Sequence, residues 1–271
     1  MKKTFSSKKS AFSLIELSIV LIIIGLLIAG VTGGASLIKS SELRSAISEA
    51  RGYAVAVSGF YSQYNALPGD YTTAIAGAFV SDATYGLNSK IQYFNDNVTT
   101  YDSESVVAWD QLIKTGTIDN SLNLTYAAGT AAQAVGTNMP ASKIKFAGWH
   151  FDYRISVTAD TDAAYTTATN EGKAAAPAYQ NVVVLTGAVA AGATATDSLV
   201  NGSSPVATAA LTGPDALSID TKVDDGFANA GRVRGLLTTC YSANASENVS
   251  YTVSSASSKV CALTFQVDVN S

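Results

Sequence analysis

From Phe12 to Ile38 apolar residues dominate, and the only charged side chain in that run is Glu16. Written as a helix rising 1.5 Å per residue, the stretch is about 40 Å long, enough to cross ~30 Å of hydrocarbon with some tilt. Beyond it the pattern changes without a linker. Leu43, Ile47, Ala50, Ala54, Val57, Tyr61 and Tyr64 recur in steps of four and three, which is one stripe of an amphipathic helix. Ser41, Glu42, Arg44, Ser45, Glu49, Arg51 and Gln63 fill much of the rest. Ala66-Leu67-Pro68-Gly69-Asp70 ends the pattern, because proline disfavours further helix and Pro-Gly suits the centre of a type II turn. The sequence therefore predicts one helix from about Phe12 to about Ala66, roughly 80 Å long. Its C-terminal half would pack on a domain of its own chain. Gly25, Gly30, Gly33 and Gly34 weaken helix propensity within the apolar half. Close helix packing in a membrane is one open reading of these glycines.

Further along, Val106, Trp109, Leu112 and Ile113 share a helical face within Asp102 to Lys114, and Gly116 follows as a stop. Ala127 to Gly136 is rich in Gly, Ala and Thr and reads as a loop. Trp149, Phe151, Tyr153, Ile155 and Val157 alternate with His150, Asp152, Arg154 and Ser156, the signature of a half-buried strand. Asn181 to Leu185, Arg232 to Cys240, Val249 to Val253 and Lys259 to Val269 are further strand candidates by their β-branched content. The remainder of Ala159 to Gly213 is sparse in charge and reads as solvent-facing loops.

Composition narrows the function classes. The 271 residues are 47% hydrophobic and 14% charged, which suits a packed core rather than disorder. The net charge is −4, and four lysines (Lys2, Lys3, Lys8, Lys9) lie in the first eleven residues, so without them the chain stands at about −8. That balance disfavours nucleic-acid binding, which wants a basic face. Arg232 and Arg234 make only a small basic spot. With two cysteines and one histidine, a zinc site lacks ligands.

The basic start leaves residues 1–11 on the cytoplasmic side of a single span. A secretory signal peptide, with its apolar region at Leu17 to Ala29 and cleavage near Gly33-Gly34-Ala35, and an uncleaved anchor both fit the apolar run. Neither accounts for Glu16, an acid placed four residues past the apolar onset, where a carboxylate is costly in a bilayer. The run Ala11-Phe12-Ser13-Leu14-Ile15-Glu16-Leu17 closely resembles the cleavage and methylation signature of type IV prepilins and type II secretion pseudopilins. The resemblance implies that a dedicated prepilin peptidase cuts between Ala11 and Phe12 and methylates the amine of Phe12, and that Glu16 is the acidic assembly residue. Ala11 stands where the family usually has glycine.

The same resemblance implies an α+β, pilin-like fold. A long N-terminal helix would pack on an antiparallel sheet whose last strands are stapled by a disulfide between Cys240 and Cys261. An extracytoplasmic, oxidising location agrees with such a pair. The implied organisation is a cleaved leader at 1–11, a transmembrane half-helix at 12–38, an amphipathic half at 39–66 and an extracytoplasmic domain at 67–271. The precursor would sit in the inner membrane and leave it for a periplasmic or cell-surface filament. Its implied partners are copies of itself, other pilin-like subunits, the peptidase and an inner-membrane assembly platform, with no nucleic acid. The functions that follow are a major or minor pilin, a type II secretion pseudopilin, or a tip-located adhesin.

No cofactor is expected beyond a weak calcium candidate at Asp220, Asp224 and Asp225, since some pseudopilins bind calcium near the C-terminus. The spacing fits an EF-hand loop badly, with Lys222 at the third position and Asp225 in place of the turn glycine. A solvated Asp-Asp-Gly turn is the alternative. His150, opposite the large apolar residues of its strand, is expected on an exposed or loop-covered face and has no catalytic motif around it. No catalytic constellation is visible, so an enzyme is not expected. Asn97, Asn123, Asn201, Asn244 and Asn248 begin N-x-[ST] sequons of the kind a Ser/Thr-rich chain produces by chance.

Overall fold

The structure, a computed structural model, describes residues 13–72, 89, 91, 104–119, 135–137, 139–155, 179–188, 207–237, 239–241, 249–253 and 258–267. The asparagines of all five sequons and the Ala11-Phe12 bond lie outside these residues, as does most of the loop at Ala127 to Gly136. The described elements run α1 (Leu14–Tyr64), α2 (Glu104–Lys114), β1 (Gly148–Ile155), β2 (Tyr179–Thr186), α3 (Gly213–Val223), β3 (Val233–Gly235) and β4 (Leu263–Gln266). The fold is α+β with an antiparallel sheet, and it divides into two units, Met1–Glu42 and Leu43–Ser271.

In the first unit α1 passes unbroken through Gly25, Gly30, Gly33 and Gly34, and a methyl group added at any of the four would meet no neighbour within 4 Å. Its large apolar side chains, from Leu14 through Ile38, are exposed. Each would gain about 1.5–3 kcal/mol on full removal from water, so this surface calls for lipid or for other helices. Among the described residues, α1 alone is long and apolar enough to cross a membrane.

In the second unit the amphipathic half of α1 buries Leu43, Ala46, Ile47, Ala50, Ala56, Val57 and Phe60. The stripe is rotated slightly from the one read in the sequence: Phe60 is fully buried, while Ala54, Tyr61 and Tyr64 sit at the margin of the core. The helix closes with Asn65 at φ 52°, a left-handed C-terminal position that asparagine tolerates. The following turn is buried from Ala66 to Asp70. There the Gly69 amide donates to Gln111 Oε1 of α2 at 2.8 Å, and Gln111 Nε2 donates to the Tyr71 carbonyl at 3.0 Å. Gly69 has φ 89°, and a Cβ there would stand 2.6 Å from the Glu104 carbonyl oxygen. Gly69→Ala is therefore expected to lower unfolding free energy by about 2–3 kcal/mol, and Gly69→Asn should do no better because the obstacle is backbone. Denaturant midpoints of the three proteins check this.

The sheet order is β1-β2-β4-β3, antiparallel throughout. Trp149, Phe151, Val183, Leu185, Leu263 and Phe265 belong to the same core cluster as α1 and α2. Tyr53 of α1 lies edge-on to Trp109 at 4.8 Å and to Trp149 at 5.6 Å, and Trp109 meets Phe151 at 4.2 Å. On the other side of the sheet, Val182, Val184, Leu236 and Ala262 form a second buried cluster. β1 is thus buried on both faces from Gly148 to Tyr153, not half-buried as its alternation predicted. α2 likewise is buried nearly all round, Glu104, Ser105, Asp110 and Gln111 included.

Three strand expectations shrink, the first being Lys259 to Val269, of which only the four residues of β4 form a strand among the described residues. Arg232 to Cys240 yields only the three residues of β3, and Leu237 to Cys240 closes as a turn, with the Cys240 amide on the Leu237 carbonyl at 2.8 Å. Within Val249 to Val253, Tyr251 makes an isolated bridge to Tyr241. The Asp-rich stretch after Thr212 starts as a helix, α3, which the sequence reading missed. Thr212 caps it by accepting from the Asp215 amide at 3.3 Å and donating to Asp215 Oδ2 at 2.6 Å, with Pro214 in the first turn. Cys240 and Cys261 are disulfide-bonded, 21 residues apart. A loop of that length stabilises the fold by on the order of 3 kcal/mol through the unfolded chain.

Candidate functional site

The candidate site is the first turn of α1, and it is built by local hydrogen bonding. Ser13 precedes the helix; its hydroxyl accepts from the Ile15 amide at 3.3 Å, and its carbonyl accepts from the Leu17 amide at 3.2 Å. Glu16, three residues on, reaches back so that Oε2 accepts from the Ser13 amide at 2.9 Å. Ser13-Leu14-Ile15-Glu16 thus forms a variant of the capping box, with the serine hydroxyl on the second helical amide instead of the third, and it holds a carboxylate at the positive end of the helix dipole. Chemically, the arrangement fixes a single negative charge on an exposed apolar rod, one turn from its start. Such a charge favours any cation delivered to the same place.

A second connection lies in the amphipathic half of the same helix. Glu49 Oε2 accepts from Ser142 Oγ at 2.8 Å and from Trp149 Nε1 at 2.9 Å, while Oε1 accepts from the Lys143 amide at 3.1 Å. One carboxylate therefore joins the helix to the loop before β1 and to β1 itself. Sequence reasoning counted Glu49 among the outward polar residues. Its partners stand 93 to 100 residues away, so no local signal reveals them.

The three calcium candidates do converge, with ligand atoms within 4.8 Å of one another. Each already holds a hydrogen-bond donor. Asp220 accepts from Tyr251 Oη at 2.6 Å and from the Gly226 amide at 3.2 Å. Asp224 accepts from the Arg232 and Val233 amides, and Asp225 from the Phe227 amide. Burial pushes the Asp220 carboxyl up to about 7, against the lowering effect of its bonds to Tyr251 and Gly226. The arrangement fits a hydrogen-bonded Asp-Asp-Gly turn, with Gly226 at φ 80°, more closely than a cage of six to eight oxygens around calcium.

His150 is not exposed: it is wholly buried, and burial lowers it to about 3, so it stays neutral at physiological pH. Its strand position opposite the aromatic residues was legible, and of the two alternatives, an exposed or a covered face, the structure has the covered one. The basic spot also dissolves, since Arg234 is buried with Nε on the Gly231 carbonyl at 2.9 Å, leaving Arg232 exposed.

Comparison with curated proteins and with solved structures finds no match for this chain. One family description does match, the prokaryotic N-terminal methylation motif, over residues 6–32. That segment contains the Ala11-Phe12 bond, the capping box and Glu16, together with the first turns of the apolar helix. The motif marks structural pilin-type proteins, and with the apolar helix behind it supports a membrane-anchored precursor of the type IV pilin or pseudopilin kind. Residues 6–32 of this chain are the cleavage and methylation signature of prepilins.

Proposed function

We propose that the chain is a structural subunit, a major or minor pilin, of a type IV pilus-like filament. Prepilin peptidase cuts before Phe12 and methylates the new amine, and the inner-membrane platform then extracts the subunit and adds it to a growing filament. The observation that carries this reading is the coincidence of three features in one segment: the methylation motif, an exposed apolar helix and a lone carboxylate in its first turn. A secretory signal would need no such acid. In the filament the apolar halves pack on one another and replace lipid. Asp220, Asp224 and Asp225 serve as a turn staple in this reading, and no cofactor is required.

Imaging of filaments labelled on this subunit tests the role. Label along the whole length is expected of a major pilin, and label confined to the ends identifies a minor subunit with a binding role at the tip. A chain that is processed yet absent from every extracellular filament would overturn the proposal in favour of a secretion pseudopilin.

A further inference from the structure

The chain is acidic, yet one exposed corner of the globular unit gathers the opposite charge around an aromatic ring. Residues 141–148 form a loop closed by the antiparallel bridge Ala141↔Gly148 and by a 2.9 Å bond from the Ser142 amide to the Ala147 carbonyl. Inside it the Ala147 amide donates to the Ile144 carbonyl at 3.0 Å, so Lys145 and Phe146 are the two central residues of a tight turn. Phe146 has φ 64°, at the turn position where glycine is favoured. For a bulky residue this is a genuine outlier. Burial does not compensate it, because the side chain is 72% exposed.

Cations are fixed around that ring. Lys145 Nζ lies 4.8 Å from the ring centroid, and Lys259 Nζ, brought in by the segment before β4, lies 5.8 Å from it. Lys259 is held there by a 2.9 Å bond to the Lys145 carbonyl. Lys143, also exposed, precedes them in the same loop. Three of the chain's 17 Lys and Arg thus meet here, which leaves 14 elsewhere against 21 Asp and Glu.

We propose that Lys143, Lys145, Phe146 and Lys259 form a docking knob for the acidic surface of a second copy of this chain. Two copies of an acidic protein repel one another, and a contact that repeats along a polymer joins two different patches of the same molecule. The knob supplies the unlike patch, and its held-out ring supplies apolar area that a lysine alone lacks. Three lysines are a small footprint for a nucleic acid, which asks for a basic face. The inference rests on the filament reading for its biological setting, though contact between copies is testable without filaments.

The test uses the purified full chain in detergent, with unlabelled and nitrogen-15-labelled protein mixed equally and treated with a carbodiimide that joins amines to carboxylates in contact. Peptides linking Lys145 or Lys259 of one isotope to an Asp or Glu of the other are expected. Their yield should fall about fivefold or more when salt rises to about 0.5 M, as exposed charge pairs are screened. Phe146→Gly relieves the turn and keeps all three lysines, so its melting temperature should be unchanged or higher while the mixed-isotope yield drops about fivefold. Cross-links found only within one isotope, a yield indifferent to Phe146→Gly, or a knob that couples instead to added single-stranded DNA or anionic lipid vesicles would overturn the proposal. Mixed cross-links from a chain that never enters filaments would sink the filament reading and leave the knob standing. Filaments without such cross-links would do the reverse.

Discussion

Glu16→Val is expected to abolish filaments and to leave processed subunit in the inner membrane. The side chain sits in the first turn of an exposed apolar helix, where a carboxylate is costly unless something cationic meets it. The proposed cleavage before Phe12 would create such a cation, four residues upstream on the same chain. In one subunit the carboxylate is already engaged by the Ser13 amide. On the proposed filament account, a neighbour shifted along the filament axis would deliver its own Phe12 amine to this position, and the pairing would select the axial register in a low-dielectric surrounding. The competing account is that Glu16 only caps its helix. Valine removes the cap, worth about 1 kcal/mol, but makes insertion easier, so that account predicts normal or raised filament yield. Glu16→Gln separates the two still more cleanly, because glutamine serves in a capping box and carries no charge. Loss of filaments in both variants, measured in sheared surface fractions against processed subunit in membranes, is the expected result. Normal yield from Glu16→Gln would refute charge pairing.

The second large effect is on the fold. Glu49→Ala is expected to cost about 3 kcal/mol of unfolding free energy, since it removes a charged acceptor and leaves Trp149 Nε1 and the Lys143 amide without their partner. Glu49→Gln keeps one oxygen acceptor and should cost about half as much. Denaturant unfolding followed by tryptophan fluorescence reads both, because Trp149 bonds the carboxylate and packs 5.6 Å from Tyr53 of the same helix. Equal stability of wild type and Glu49→Ala would show that aromatic packing alone joins helix and sheet.

What could be read in advance follows from the range of each signal. The long helix was legible because its apolar run, its four-and-three stripe and its Pro-Gly stop are each local. The strand at β1 was legible from period-two alternation, and Gly116, at φ 70°, from the rule for helix ends. α3 was missed although its cues were present in Thr212, Pro214 and Asp215, because the stretch was weighed for ligands at Asp220, Asp224 and Asp225 and its start was not read for caps. For His150 alternation left two alternatives, an exposed or a covered face, and only the fold decides for the covered one. Glu49 is the clearest case. On a helical wheel it is one polar residue among several, and only tertiary contact with Ser142 and Trp149 gives it a role.

The measurement closest to the central claim is the mass of the mature N-terminus. Intact-mass and N-terminal peptide analysis of protein extracted from membranes should show a chain that begins at Phe12, with one methyl group on its amine and the four lysines of the leader gone. A chain that still begins at Met1, or one that begins near Ala35, would contradict prepilin processing and with it the filament account built on Phe12 and Glu16.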